Sequence, residues 1–149
     1  DRQIKVAYDY LTSTDHDVPG GLLGLATYGG AINAVAPDAT ASAQRDAILT
    51  TACNVGWMEP RDEARSLAWV RTFYRELFAE TGGVPVPGDV SDGSLINHPD
   101  ADLADPEWNT SGVPWHTLYY KDNYARLQQV KARWDPRNVF HHALSVRLP

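Results

Sequence analysis

Hydrophobic positions recur with two different periods along this chain, and those periods divide it into elements. Ile4, Val6, Tyr8 and Tyr10 alternate with more polar neighbours, the period of a half-buried strand. The run from Thr12 to Gly21 is rich in Ser, Thr, Asp, Pro and Gly and is predicted to be a loop. Leu22 to Val35 is apolar and small, broken by Gly29-Gly30, and reads as a strand with a bulge or a close approach by ligand or backbone. After a turn at Pro37-Asp38, Ala47 to Trp57 is a further strand-like run. Pro60 to Thr81 carries the clearest helical pattern, with Ala64, Leu67, Ala68, Phe73 or Tyr74, Leu77 and Phe78 on one face. Pro60 suits its first turn, Asp62 and Glu63 suit its positive dipole end, and Gly82-Gly83 stops it.

Val84 to Asp92 is Pro- and Gly-rich, and Gly93 to Asn97 reads as a short strand. Asp100 to Pro114 is an acidic loop with a turn at Asp105-Pro106. The last helix is predicted from about Asp122 to Trp134, with a start as early as His116. Tyr124, Leu127, Val130, the stem of Lys131 and Trp134 form its apolar face, and Asp135-Pro136 ends it. The predicted order is strand, strand, strand, helix, strand, helix. Runs of strands backed by helices indicate α+β with an antiparallel sheet rather than a doubly wound fold.

Composition narrows the function. A net charge of −6 with scattered Lys and Arg disfavours a nucleic-acid or anionic-membrane partner. No apolar run approaches the ~20 residues of a membrane span. Five tryptophans and seven tyrosines suit both a core and a ligand pocket. Cys53 is the one cysteine, so an internal disulfide is impossible and the redox compartment stays open, cytoplasmic or secreted. In its apolar stretch it reads as a small core residue rather than a nucleophile. His141-His142 have no third ligand at recognisable spacing, so no metal site is expected. Asn109-Thr110-Ser111 matches a glycosylation sequon, a weak signal by itself. The opening at Asp1, inside what reads as a strand, leads to the expectation of an upstream portion.

The tail is the most specific part of the sequence. Tyr119-Tyr120-Lys121-Asp122-Asn123-Tyr124-Ala125-Arg126-Leu127 is followed by Val130-Lys131 and by Asp135-Pro136-Arg137-Asn138-Val139-Phe140. This resembles the C-terminal signature of berberine-bridge-enzyme-like flavoproteins. Asn97-His98-Pro99-Asp100 with Asp102-Leu103 resembles that family's Tyr-x-Asn-Tyr-x-Asp segment. Ile4-Lys5-Val6, Asp9-Tyr10, Tyr28-Gly29-Gly30 and Trp57 fall in the family's order. The nearest flavour is that of actinobacterial oxidases of sugars and antibiotic intermediates.

The resemblance implies a vanillyl-alcohol-oxidase-type fold. Residues 1–110 would be the later part of the substrate-binding domain, and 111–149 would return to the FAD-binding domain. It implies FAD as cofactor, a small-molecule substrate such as a sugar or glycosylated secondary metabolite, and the N-terminal FAD-binding portion as a necessary partner. The implied reaction is alcohol oxidation, with hydride passing to flavin N5 and oxygen as acceptor, assisted by a base near the substrate hydroxyl. The family's flavin-anchoring His and Cys and its pyrophosphate loop have no counterpart here, and Cys53 lies in the wrong half for that role.

The base is usually a tyrosine of the Tyr-x-Asn-Tyr segment, and Leu95 and His98 occupy the two tyrosine positions. Either His98 is the base, which an imidazole's ordinary pKa of ~6.5 suits, or it is a loop residue and the base is lost. Tyr28 is either an assisting tyrosine of the pocket or an ordinary rim residue. Asn97 and Asn123 match asparagines near the flavin, whose amides both donate and accept; Asn123 equally suits a helix start. Tyr120 either packs near the isoalloxazine or on the last helix. A chain that has lost flavin chemistry, acting as a binding or structural subunit, is the competing reading.

Overall fold

A computed structural model of the chain describes residues 1–14 and 18–149. They form two compact units, residues 1–28 with 48–84 and residues 29–47 with 85–149.

The first unit holds helix α1 (Arg2–Thr12), strands β1 (Leu22–Thr27) and β2 (Leu49–Asn54), and helix α2 (Glu63–Leu77), which is led in by a 3-10 turn at Pro60–Asp62. The strands pair antiparallel, with Leu22 opposite Asn54 and Thr27 opposite Leu49. The α+β class is therefore observed, with a sheet of two strands among the described residues.

The segment Ile4–Tyr10, expected as a strand, is helical. Its apolar residues also satisfy the helical spacing: Val6, Ala7 and Tyr10 turn to one side and pack on the core. Ile4 and Tyr8 are exposed. The Lys5 ammonium donates to Asp9 one turn on at 2.7 Å, and the Gln3 amide donates to the Leu77 carbonyl at 3.2 Å.

The core of this unit is Val18, Trp69, Phe73 and Leu77, with Leu23, Cys53, Val55, Val70 and Phe78 against it. The buried face of α2 is Ser66, Trp69, Phe73 and Leu77, a rotation from the expected one that leaves Ala64 and Ala68 exposed. Gly82 (φ 75°) ends the region as expected, and the Gly83 N–H donates to the Phe78 carbonyl at 2.9 Å. The predicted loop over 12–21 begins after α1 and closes with Gly21 N–H donating to Val18 O at 3.3 Å; its residues 15–17 lie outside the described residues.

Burial pushes the Cys53 thiol up to about 12, so the thiolate is scarce near neutrality. The native protein is expected to leave Cys53 unlabelled by a thiol reagent at mildly alkaline pH, with full labelling after denaturation. Stoichiometric labelling of the folded protein would refute the core assignment.

Leu22–Val35 is a strand only as far as Thr27. Gly29 and Gly30 take φ of 104° and 68°, conformations that cannot continue a strand, and Gly30–Ala34 is a 3-10 turn in the second unit.

That second unit is built on two helices, α3 (Trp115–Tyr120) and α4 (Tyr124–Trp134), joined by a 3-10 turn at Lys121–Asn123. The last helix, α4, starts at Tyr124 and not near His116, where a separate short helix begins; the stop at Asp135-Pro136 is observed. Asp135 accepts the Val139 and Phe140 N–H groups, and its hydrogen bond from Lys131 chiefly holds its carboxyl below the usual range.

Gly93–Asn97 is not a strand. One backbone bond, Ser94 N–H to Leu118 O at 2.8 Å, anchors it. Gly93 (φ 91°) lies so close to α3 that an added Cβ would sit 2.3 Å from the Leu118 oxygen. The Asp105-Pro106 turn forms, with Trp108 N–H donating to Asp105 O at 3.0 Å, and Ala101–Ala104 before it is a 3-10 turn capped by Asp100. The Asn109 amide of the sequon donates to the Leu103 and Val113 carbonyls, each at 2.9 Å, so it is a structural tie.

No helix among the described residues is long and apolar enough to cross a membrane, and no group of three or more His, Cys, Asp or Glu among them is placed to hold a metal ion.

Candidate functional site

Aromatic residues spaced three and four apart put their rings on one side of α3 and the start of α4. Trp115, Tyr119, Tyr120 and Tyr124 are all buried. Tyr120 stacks on Tyr124 with centroids 6.0 Å apart, and His116 stacks on Tyr124 as well, at 4.0 Å. Trp115 meets Tyr119 and Tyr124 edge-on. Such contacts add ~0.5–1.5 kcal/mol each beyond area burial.

Burial raises the Tyr119 phenol to about 12, and its oxygen accepts the Asp100 N–H at 2.9 Å. That bond fixes the loop carrying Asn97 and His98 to α3. Burial, then neighbouring Tyr124, raises the Tyr120 phenol. Burial, then the Arg147 guanidinium, lowers His116, whose Nδ1 is buried without a hydrogen-bond partner among the described residues.

Asn123 is buried, and its amide N–H groups donate to the Pro37 and Thr40 carbonyls at 2.8 and 3.1 Å. The donor side of Asn123 is thus committed to holding the 37–40 segment, and the carbonyl oxygen is the end left for a ligand. Gln44, also buried, donates to the Tyr119 carbonyl at 2.9 Å. Asn97 and His98 are exposed, on a turn closed by His98 N–H donating to Leu95 O at 3.0 Å, and Leu95 is half-buried. Tyr28 belongs to the first unit; it is half-buried, and its N–H donates to the Ile48 carbonyl at 2.9 Å.

Of the five residues singled out by sequence, Asn97, His98, Tyr120 and Asn123 fall in one compact unit. Tyr119, Gln44 and the pair Asp92 and Lys121 are additions from the structure. Tyr119 and Lys121 have a signal in the sequence, because both stand in the tail motif; Gln44 and Asp92 act through long-range bonds that no local pattern displays. Lys121 is the least ordinary. It takes φ 48° and ψ −131°, a region for which glycine is the usual choice, at a cost of ~1–3 kcal/mol. Its ammonium pairs with the Asp92 carboxylate, both side chains largely buried.

The residues present suit an edge of a flavin ring, which carries both N–H donors and carbonyl acceptors. The Asn123 carbonyl can accept and the Asn97 amide is accessible to do either, whereas the Tyr120 ring is buried against Tyr124.

The α+β unit and the tyrosine-rich helical tail are those of a vanillyl-alcohol-oxidase-type flavoprotein. Residues 94–147 match the family described as "Berberine and berberine like". The chain belongs to this berberine-like family. It is 60% identical over 129 residues to aclacinomycin-N/aclacinomycin-A oxidase of Streptomyces galilaeus, across 87% of this chain and 24% of that protein. It is 35% identical over 158 residues to hexose oxidase of Chondrus crispus, across 98% of this chain and 29% of that one. A solved glycopeptide hexose oxidase complexed with teicoplanin superposes with a TM-score of 0.92 at 58% identity, covering 99% of this chain and 29% of the other. The chain thus spans between roughly a quarter and a third of the length of these relatives.

Proposed function

We propose that this chain is the C-terminal part of an FAD-dependent oxidase that oxidises a hydroxyl of a sugar or glycosylated natural product, with oxygen as the final acceptor. The observation that carries this reading is the high identity to two oxidases of such compounds over nearly the whole chain. Residues 1–110 are assigned to the substrate-binding domain and 111–149 to the FAD-binding domain. The N-terminal portion of the same enzyme is the required partner.

In this reading Asn97, Tyr120 and Asn123 hold the flavin edge, and the flavin supplies the two-electron acceptor. His98 takes the proton from the substrate hydroxyl as the carbon-bound hydrogen leaves with its electron pair. Tyr28 assists from the substrate side. The turn closed at Leu95 and the bond from Asp100 to Tyr119 hold the loop that carries His98.

A specific observation favours a second reading, a binding subunit without flavin chemistry. Leu95 has no ionisable group, and His98 is exposed instead of enclosed. The visible spectrum of the complete protein, followed by anaerobic addition of hexoses and of glycosylated aromatic polyketides, separates the two. Flavin absorbance that bleaches with one of these substrates supports the oxidase. A colourless protein, or a flavin that none of them reduces, removes it.

A further inference from the structure

The break between α3 and α4 is held from outside the helices. At the end of α3 the Leu118 carbonyl accepts the Ser94 N–H at 2.8 Å, and the Tyr119 carbonyl accepts the Gln44 amide at 2.9 Å. Those are carbonyls a helix end leaves without partners. Two residues beyond Tyr119, Lys121 then takes its glycine-like conformation, and the chain re-enters a helix at Tyr124.

Asp92 sits one residue before Gly93, where an added Cβ would meet the Leu118 oxygen of α3. One of its carboxylate oxygens accepts the Asp46 and Ala47 N–H groups at 2.9 and 3.2 Å; the other is paired with the Lys121 ammonium. The carboxylate is therefore fixed independently of Lys121, and a charged hydrogen bond to a fixed, largely buried partner is among the stronger polar contacts. Lys121 has Tyr120 on one side and, two residues on, Asn123 on the other.

We propose that the Asp92–Lys121 pair is a positioning device for the flavin-facing residues: it holds Lys121 in its glycine-like backbone conformation and so aims Tyr120 and Asn123. This inference rests on the proposed flavoenzyme reading. The pair touches neither flavin nor substrate; it acts through the backbone of its neighbours. An alternative role, as a charge felt directly by the reaction, makes a different prediction for glycine at position 121.

The test uses the complete flavin-loaded enzyme and three variants, Asp92→Asn, Lys121→Met and Lys121→Gly. Asp92→Asn and Lys121→Met are expected to keep bound flavin but alter its visible absorption envelope, and to lower kcat by roughly 10- to 100-fold, the scale of a misplacement of about 1 Å. Lys121→Gly, for which the backbone conformation is natural, is expected to retain about half or more of the parental kcat and the parental spectrum. Three results overturn the proposal. One is parental spectrum and kcat in Asp92→Asn and Lys121→Met. The second is a Lys121→Gly variant as impaired as Lys121→Met, which would place the effect in the charge. The third is loss of the folded state, by far-ultraviolet circular dichroism, in both Asp92→Asn and Lys121→Met, since the pair would then hold the fold. A parent protein without flavin would instead sink the underlying reading.

Discussion

Replacing His98 by Phe in the complete enzyme is expected to slow flavin reduction by substrate roughly 10²- to 10⁴-fold, the contribution typical of a positioned general base. The flavin should stay bound, because His98 is exposed and is not among the residues assigned to the flavin edge. Rapid mixing under anaerobic conditions reads the reductive step directly and separates it from oxygen reaction and product release. Phe keeps a planar ring of similar size but cannot take a proton. His98→Tyr is the informative partner, since it restores the residue usual in the family at that position. Its rate should stand well above that of His98→Phe. A His98→Phe rate within about twofold of the parent would remove His98 from the mechanism and strengthen the binding-subunit reading.

The sequence displays those features whose cause is local. Helix α2 is visible because Phe73 and Leu77 recur at its period between a proline and a glycine pair, and α4 because a proline follows its last turn. The Asp105-Pro106 turn is likewise written in two adjacent residues. Helix α1 reads as a strand because four apolar residues at alternate positions include two, Val6 and Tyr10, that also lie on one helical face; only packing against α2 decides between the periods. Trp69 escapes the pattern for the same reason, as the sheet and α1 together select which face of α2 is inside.

Features with distant causes are hidden. Gly93–Asn97 has the residues of a strand but finds one carbonyl on α3 instead of a partner strand. Asn123 fits a helix start by type, yet its amide bonds reach Pro37 and Thr40, far earlier in the chain. The sequon asparagine is spent on two backbone carbonyls. The site is legible through family likeness, whereas the supports beneath it, Asp92, Lys121 and Gln44, depend on the folded chain.

Truncating Phe73 to Ala is expected to cost about 3–5 kcal/mol, the range for removing a fully buried phenyl ring. Phe73 is 0% exposed, stacks on Tyr10 at 4.7 Å and tilts against Trp69 at 5.2 Å. It therefore joins α1 to α2, and the cavity left behind would be lined by rings too rigid to collapse into it. The loss should be local to the first unit and visible in hydrogen exchange of the complete protein. Amides of α1 and α2 would exchange about 10²- to 10⁴-fold faster, while those of α3 and α4 keep their protection. Met58→Ala is the control; that side chain is 96% exposed, and its removal should change stability by no more than ~0.5 kcal/mol. Were α1 to keep its protection in Phe73→Ala, the helix would be held by contacts other than this aromatic junction. If α3 and α4 lost theirs equally, unfolding would be a single cooperative event in which the first unit has no separate stability.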